Sequence, residues 1–87
     1  MATVFIPAQW RDLTGGLTQA QVEGNSLGRI ITALETQFPG ISARLCDQGT
    51  IASGLAVSID GSVTTRGLLA PVLPESEIHF LPAIGGG

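Results

Sequence analysis

The apolar positions of this chain follow two periods, and its elements begin and end where one gives way to the other. Thr3–Ile6 (TVFI) is β-branched and aromatic, as a half-buried strand requires, and Pro7 ends that strand or confines it to an edge. Gly15-Gly16 signals a turn. Leu17–Glu23 then alternates in part, with Leu17 and Val22 as apolar markers, and predicts a second strand joined to the first by a long loop. From Asn25 the period changes. Leu27, Ile30, Ile31, Leu34 and Phe38 fall at i, i+3, i+4, i+7 and i+11, one stripe on a 3.6-residue helix. Asn25 or Ser26 can cap it by accepting bonds from the free N–H groups of its first turn. Gly28 and Thr32 weaken its intrinsic propensity, so packing must hold it. Pro39-Gly40 stops it, and Ile41–Leu45 predicts one short extra turn.

Asp47–Gly54 is polar or small and reads as a loop. The period of two returns at Leu55–Ile59, which places Leu55, Val57 and Ile59 on one face. Asp60-Gly61 predicts a hairpin turn, since a type I′ turn needs positive φ at both central residues. Ser62–Arg66 is the expected return strand, and Gly67–Val72 a short turn or bridge. Pro74-Glu75-Ser76 turns the chain into a last strand, Glu77–Leu81, in which Ile78 and Phe80 face one way and His79 and Leu81 the other. The order is β-β-α-β-β-β. A single amphipathic helix buries its stripe by lying across one face of a mixed sheet, so the fold class is α+β. With the first and last strands paired at the centre, this is a β-grasp, ubiquitin-like architecture.

The chain has 87 residues, enough for one domain that buries roughly 60–65% of its unfolded surface. Hydrophobic residues make up 44% and charged residues only 13%, so a core is affordable and disorder is not expected. No apolar run approaches the ~20 residues of a membrane helix, and the start, MATVFIPAQWRDL, lacks the basic n-region of a signal peptide. A net charge of −3 offers no electrostatic footprint for nucleic acid and suits a partner with a basic docking surface. One cysteine, Cys46, forms no internal disulfide, and a cytoplasmic protein is the simplest reading. One histidine, one cysteine and no dense acidic cluster leave no zinc-type ligand set, so no metal is expected. The basic residues are Arg11, Arg29, Arg44 and Arg66, with no lysine. Lysine-linked chains of this protein on itself are therefore chemically excluded.

The chain stops on FLPAIGGG. Terminal glycines are often a frayed end. They also suit a carboxylate that enzymes must activate. A carboxylate is a poor electrophile until it becomes an acyl-adenylate, and it must thread a narrow channel to reach the nucleotide. Glycine has no Cβ, accepts extended and positive-φ conformations, and leaves the terminal carbonyl open to attack. Pro82 stiffens the exit from the last strand and projects the tail away from the body. No nucleophile–base pair stands out in the chain, so catalysis falls to partners.

The stretches "IP" and "TGG" in IPAQWRDLTGG, SLGRIITALETQFPGISARLCD, and the ending FLPAIGGG resemble the ubiquitin-like sulfur-carrier family (ThiS/MoaD-like) across nearly the whole chain, nearest to its cysteine-biosynthesis branch. AQWRDL also resembles the small subunit of molybdopterin synthase. The resemblance implies a β-grasp domain over 1–84 with a flexible glycine tail at 85–87, and a protein cosubstrate rather than an enzyme. It implies that Gly87 is adenylated and converted to a thiocarboxylate by an E1-like adenylyl- and sulfurtransferase, which uses the ATP; the carrier itself binds no cofactor. In the cysteine branch a pyridoxal-phosphate (PLP)-dependent synthase takes the sulfur onto an activated serine, and a metal-dependent protease releases cysteine. In the molybdopterin branch the tail inserts into the large synthase subunit. Gly86 and Gly87 match the family pattern, whereas Gly85 replaces the usual Ala, Ser or Thr and adds tail freedom.

The partner-binding set is Pro7, Leu81, Pro82, Ile84, Gly85 and Gly86, with Gly87 as the attachment point. Leu81 points away from the helix side beside the tail, and Pro7 on the adjacent strand joins it. Trp10 reads as a half-buried core residue, with an interface anchor as the alternative. His79 reads as a solvated strand residue. Cys46 reads as small and partly buried rather than as a sulfur-transfer thiol, since no base is identifiable near it. Arg66, Glu75 and Glu77 read as solvated, the two acids alternatively meeting a basic activating enzyme. Asp60-Gly61 reads as a turn alone. Competing functions are a molybdopterin or thiamine sulfur carrier, a covalent modifier joined through Gly87 to target lysines, and an interaction module with an inert tail.

Overall fold

The helix forms where the stripe predicts it. In the computed structural model, which describes residues 1–52 and 54–82 without the side chain of Pro82, α1 spans Leu27–Gln37. Of the two cap candidates Ser26 is the one used: its Oγ accepts a hydrogen bond from Arg29 N at 3.3 Å. Leu27, Ile30, Ile31 and Leu34 are buried, and Phe38 closes the helix half-buried. Gly28 has a packing reason. A Cβ there would lie 3.3 Å from the carbonyl oxygen of Leu68, so the glycine admits the 3-10 turn Gly67–Leu69 against the helix. Beyond Pro39, Gly40 takes φ +99°, and α2 (Ile41–Leu45) follows. The Glu35 carboxylate ties the two helices together, accepting from Gly40 N at 2.9 Å and Ser42 N at 3.0 Å. These bonds, that of Gly40 first, hold its carboxyl below the usual range.

The strands are β1 (Ala2–Phe5), β2 (Gln19–Val22), β3 (Cys46–Asp47), β4 (Thr50–Ile51), β5 (Leu55–Ile59), β6 (Ser62–Val63) and β7 (Glu77–Pro82). Five of them make one sheet in the order β2-β1-β7-β5-β6. β1 and β7 run parallel at its centre, as the β-grasp reading requires; the pairs β1–β2, β5–β7 and β5–β6 are antiparallel. Helix α1 covers one face. Val4, Val22, Val57, Ile78 and Phe80 meet the helical stripe in one core, with Ile41 and Leu45 of α2 added to it.

Three local expectations are corrected. Leu17 lies outside β2 and is 49% exposed, while Ala20 and Val22 supply the buried face. Leu17 and Val22 are five apart, so strand parity would have set them on opposite faces. The stretch read as a loop at Asp47–Gly54 carries β4, which pairs with β3 in a small ladder, Cys46 opposite Ile51. The return strand stops at Val63 rather than Arg66; Arg66 N turns aside to the Thr64 hydroxyl at 3.1 Å. The turn between β5 and β6 has the expected form, with φ +53° at Asp60 and +86° at Gly61.

Candidate functional site

β7 divides its side chains as the alternation predicts. Ile78 and Phe80 lie under the helix, whereas His79 and Leu81 lie on the uncovered face. The register assembles that face. His79 stands opposite Phe5 of β1 and Ser58 of β5, Leu81 opposite Ala56, and Val63 opposite Ser58. The Phe5 and His79 rings stack with centroids 4.2 Å apart and planes 5° from parallel. Leu81 is 40% and Val63 60% exposed. An apolar and aromatic strip thus runs across the middle of the open face and ends beside the departure of β7. His79 is therefore half-buried and stacked rather than simply solvated. The cause is the parallel β1–β7 pairing, which sets two rings distant in sequence side by side.

The same pairing brings Pro7 to the site. From the Phe5–His79 pair both strands run toward the same end of the sheet, so Pro7, just past β1, and Leu81, still within β7, each two residues further on, lie at that end together. Pro7 is half-buried and introduces the 3-10 turn Ala8–Trp10. Pro82 is the last residue of β7, opposite Leu55. Ile84, Gly85, Gly86 and Gly87, and with them the boundary between domain and tail, lie outside the described residues.

Two supports of the exit are not visible in the sequence pattern. Trp10 is buried against Phe80, with ring centroids 5.9 Å apart in an edge arrangement, and so braces β7 from the helix side two residues before Pro82. Its core reading stands. Arg11 Nε donates to the carbonyl of Ile6 at 3.3 Å and steadies the turn that follows Pro7. At the other end of β7, Asp60 is more than a turn residue. Its carboxylate accepts from Glu77 N at 2.9 Å and from the Ser76 hydroxyl at 2.7 Å. These bonds, that of Glu77 first, hold the Asp60 carboxyl below its usual range. An Asp-Gly turn signal carries no hint of so distant a partner.

The remaining candidates stay peripheral. Cys46 is half-buried, and burial pushes its thiol up, the opposite of what a nucleophile needs. Arg66, Glu75 and Glu77 are exposed. Among the described residues no group of three or more His, Cys, Asp or Glu side chains could hold a metal ion, and no helix is long and apolar enough to cross a membrane. A hollow of about 660 Å³ lined by Glu23, Gly24, Asn25, Arg29, Thr32 and Ala33 lies where β2 hands over to α1, at the opposite end of the sheet from Pro7 and Leu81. Near the end of β7, Leu81 therefore lies on the exposed strip and away from that hollow.

The five-stranded mixed sheet with β1 and β7 parallel at its centre and one main helix on one face defines a β-grasp, ubiquitin-like protein. The model of the ThiS family matches residues 4–87, and the chain belongs to that family. It is 34% identical to the sulfur carrier protein CysO of Mycobacterium tuberculosis strain H37Rv, over 98% of this chain and 97% of the relative. A chain in the crystal structure of the Amycolatopsis orientalis BexX/CysO complex superposes with a TM-score of 0.92 at 30% identity, each chain covered in full. The small archaeal modifier protein SAMP1 of Methanosarcina acetivorans shares the fold alone, with a TM-score of 0.80 at 19% identity over 99% of this chain and 95% of its own. The chain is a ThiS/MoaD-like sulfur carrier, a protein substrate rather than a catalyst.

Proposed function

We propose that the carrier serves cysteine biosynthesis through a thiocarboxylate on Gly87. An E1-like enzyme joins the Gly87 carboxylate to the AMP moiety of ATP and releases pyrophosphate; the sulfur donor then displaces AMP and leaves C(=O)S⁻ on the terminus. A PLP-dependent synthase joins that sulfur to the β-carbon of an activated serine, whose activating group leaves, and a metal-dependent protease hydrolyses the bond that still holds the product to the Gly87 acyl group. These steps take place in the cytoplasm. The carrier holds no cofactor; the ATP is bound by its activating partner. Its own contribution is to dock through the strip of Phe5, His79, Leu81 and Pro7 while Pro82, Ile84, Gly85 and Gly86 deliver Gly87 into the partner's channel.

The observation that carries this reading is the apolar strip on the open face, which reaches Leu81 near the end of β7, a few residues in sequence before Gly85, Gly86 and Gly87. The solved complex of a CysO with BexX supports docking of this kind of carrier on a partner protein. The test is the intact mass of the protein purified from its native host without a C-terminal tag. A gain corresponding to one oxygen replaced by sulfur, localised to Gly87, is expected. Removing Gly86 and Gly87 should abolish it without changing the fold. An unmodified mass that persists after incubation with ATP, sulfide and the host's activating enzyme would overturn the proposal.

A further inference from the structure

β7 is tied far more firmly at its start than a strand ladder requires. Ser76, immediately before it, is 2% exposed. Its hydroxyl donates to Asp60 Oδ2 at 2.7 Å and accepts from Leu73 N at 2.9 Å. Glu77 N donates to Asp60 Oδ1 at 2.9 Å, and Asp60 N returns a bond to the Glu77 carbonyl at 2.9 Å. Thr3 N donates to the Ser76 carbonyl at 2.9 Å, which brings β1 into the same knot. The turn of the β5–β6 hairpin, the bend at Leu73–Ser76 and the start of β7 thus meet at one carboxylate and one hydroxyl, and β1 joins them through the Ser76 backbone carbonyl.

We propose that Asp60 and Ser76 are a register clamp: they hold β7 at one position along its axis and so set how far the tail beyond Pro82 reaches into a partner. Side chains of a strand repeat every two residues, so a two-residue slip returns each to its own face. Facing alone therefore discriminates poorly against that error. The slip would displace the end of β7 by about 7 Å. Five residues follow Pro82, which span at most about 17 Å when fully extended. Such an error would take away more than a third of the tail's reach. The clamp opposes it at the far end of the strand, because a slipped β7 leaves the buried Ser76 hydroxyl and the Asp60 carboxylate without their partners. Both are positioning residues, placed at the start of β7 and not at its Pro82 end.

The inference rests on the sulfur-carrier reading, and its test separates the two. Asp60→Gly keeps the positive-φ turn and removes the carboxylate, Ser76→Ala removes the hydroxyl, and Asp60→Asn keeps one oxygen for Glu77 N–H. In the full chain, cross-strand contacts between Val57 and Phe80 and the hydrogen exchange of the Glu77 amide report register. The KM and kcat of thiocarboxylate formation by the host's activating enzyme report delivery. The clamp predicts faster Glu77 exchange in the Gly and Ala variants and a KM for the carrier raised about three- to tenfold at unchanged kcat, because only the fraction in correct register binds productively. Asp60→Asn should recover part of both. Wild-type register, exchange and KM in folded variants, with only the melting temperature lowered, would overturn the clamp. If the Gly and Ala variants do not fold, Asp60→Asn decides by the same readings. If the wild type is never activated, the sulfur-carrier reading fails, and the register measurements alone decide the clamp.

Discussion

The two faces of the central sheet are built from the same strands and follow opposite rules. On the helix side Ile78 is 0% exposed and packs with Val4, Val57 and the stripe of α1. On the other side Leu81, three residues further along β7, stays open to solvent on the same face as the stacked Phe5 and His79. A sheet with one solvated face ordinarily turns polar residues outward. Here one edge does so, with Gln19 and Gln21 on β2, but the strip from Phe5 and His79 to Leu81 does not, nor does Val63 on the other edge strand. One face is organised for stability and the other for contact, and substitutions should separate the two.

The largest break is expected on the helix side. Ile78→Ala should cost about 2–5 kcal/mol of unfolding free energy, measured by urea denaturation, because the cavity would lie under the helix with nothing able to fill it. Leu81→Ala should leave stability within about 0.5 kcal/mol yet weaken docking to the activating enzyme about tenfold, read by calorimetry. Equal loss of stability and binding would erase the distinction between the faces. A double-mutant cycle on Phe5→Ala and His79→Ala should return a coupling of about 0.5–1.5 kcal/mol for the stacked pair, measured by urea unfolding. Acid sharpens the comparison in another way. Asp60 and Glu35 are both held below the usual carboxylate range, so their contribution is complete above the ordinary values of ~3.9 and ~4.3 and is lost as pH falls through the lower folded-state values. Unfolding midpoints should drop in that acid window, and less so in Asp60→Asn. The smallest effect belongs to Val63→Thr, at the far edge of the strip, which should move stability by less than about 0.5 kcal/mol and leave docking within twofold.

Much of the scaffold was legible. The stripe from Leu27 to Phe38 marked the helix, Pro39-Gly40 its end, and the alternation of β7 assigned Leu81 to the open face before any partner strand was known. The errors arose where the local signal was short. Two apolar markers, Leu17 and Val22, could not define a strand's parity, and the two-residue strands β3 and β4 are too brief to show a period. Asp60 and His79 were misread for another reason. Each looks ordinary among its sequence neighbours, and each is defined by a residue far along the chain, Ser76 for one and Phe5 for the other.

By itself the sequence determined the α+β class, the principal helix and its end, the Asp60-Gly61 turn and the facing of β5 and β7. These follow from backbone sterics and from apolar periodicity, which act over a few residues. The tertiary structure alone decided that β1 lies parallel to β7, that Phe5 stacks on His79 and Pro7 lies at the same end of the sheet as Leu81, and that Asp60 holds the start of the last strand. Partner choice among strands is a property of the whole core. It is set by which arrangement covers the helical stripe while satisfying the backbone hydrogen bonds, and no single segment contains that information.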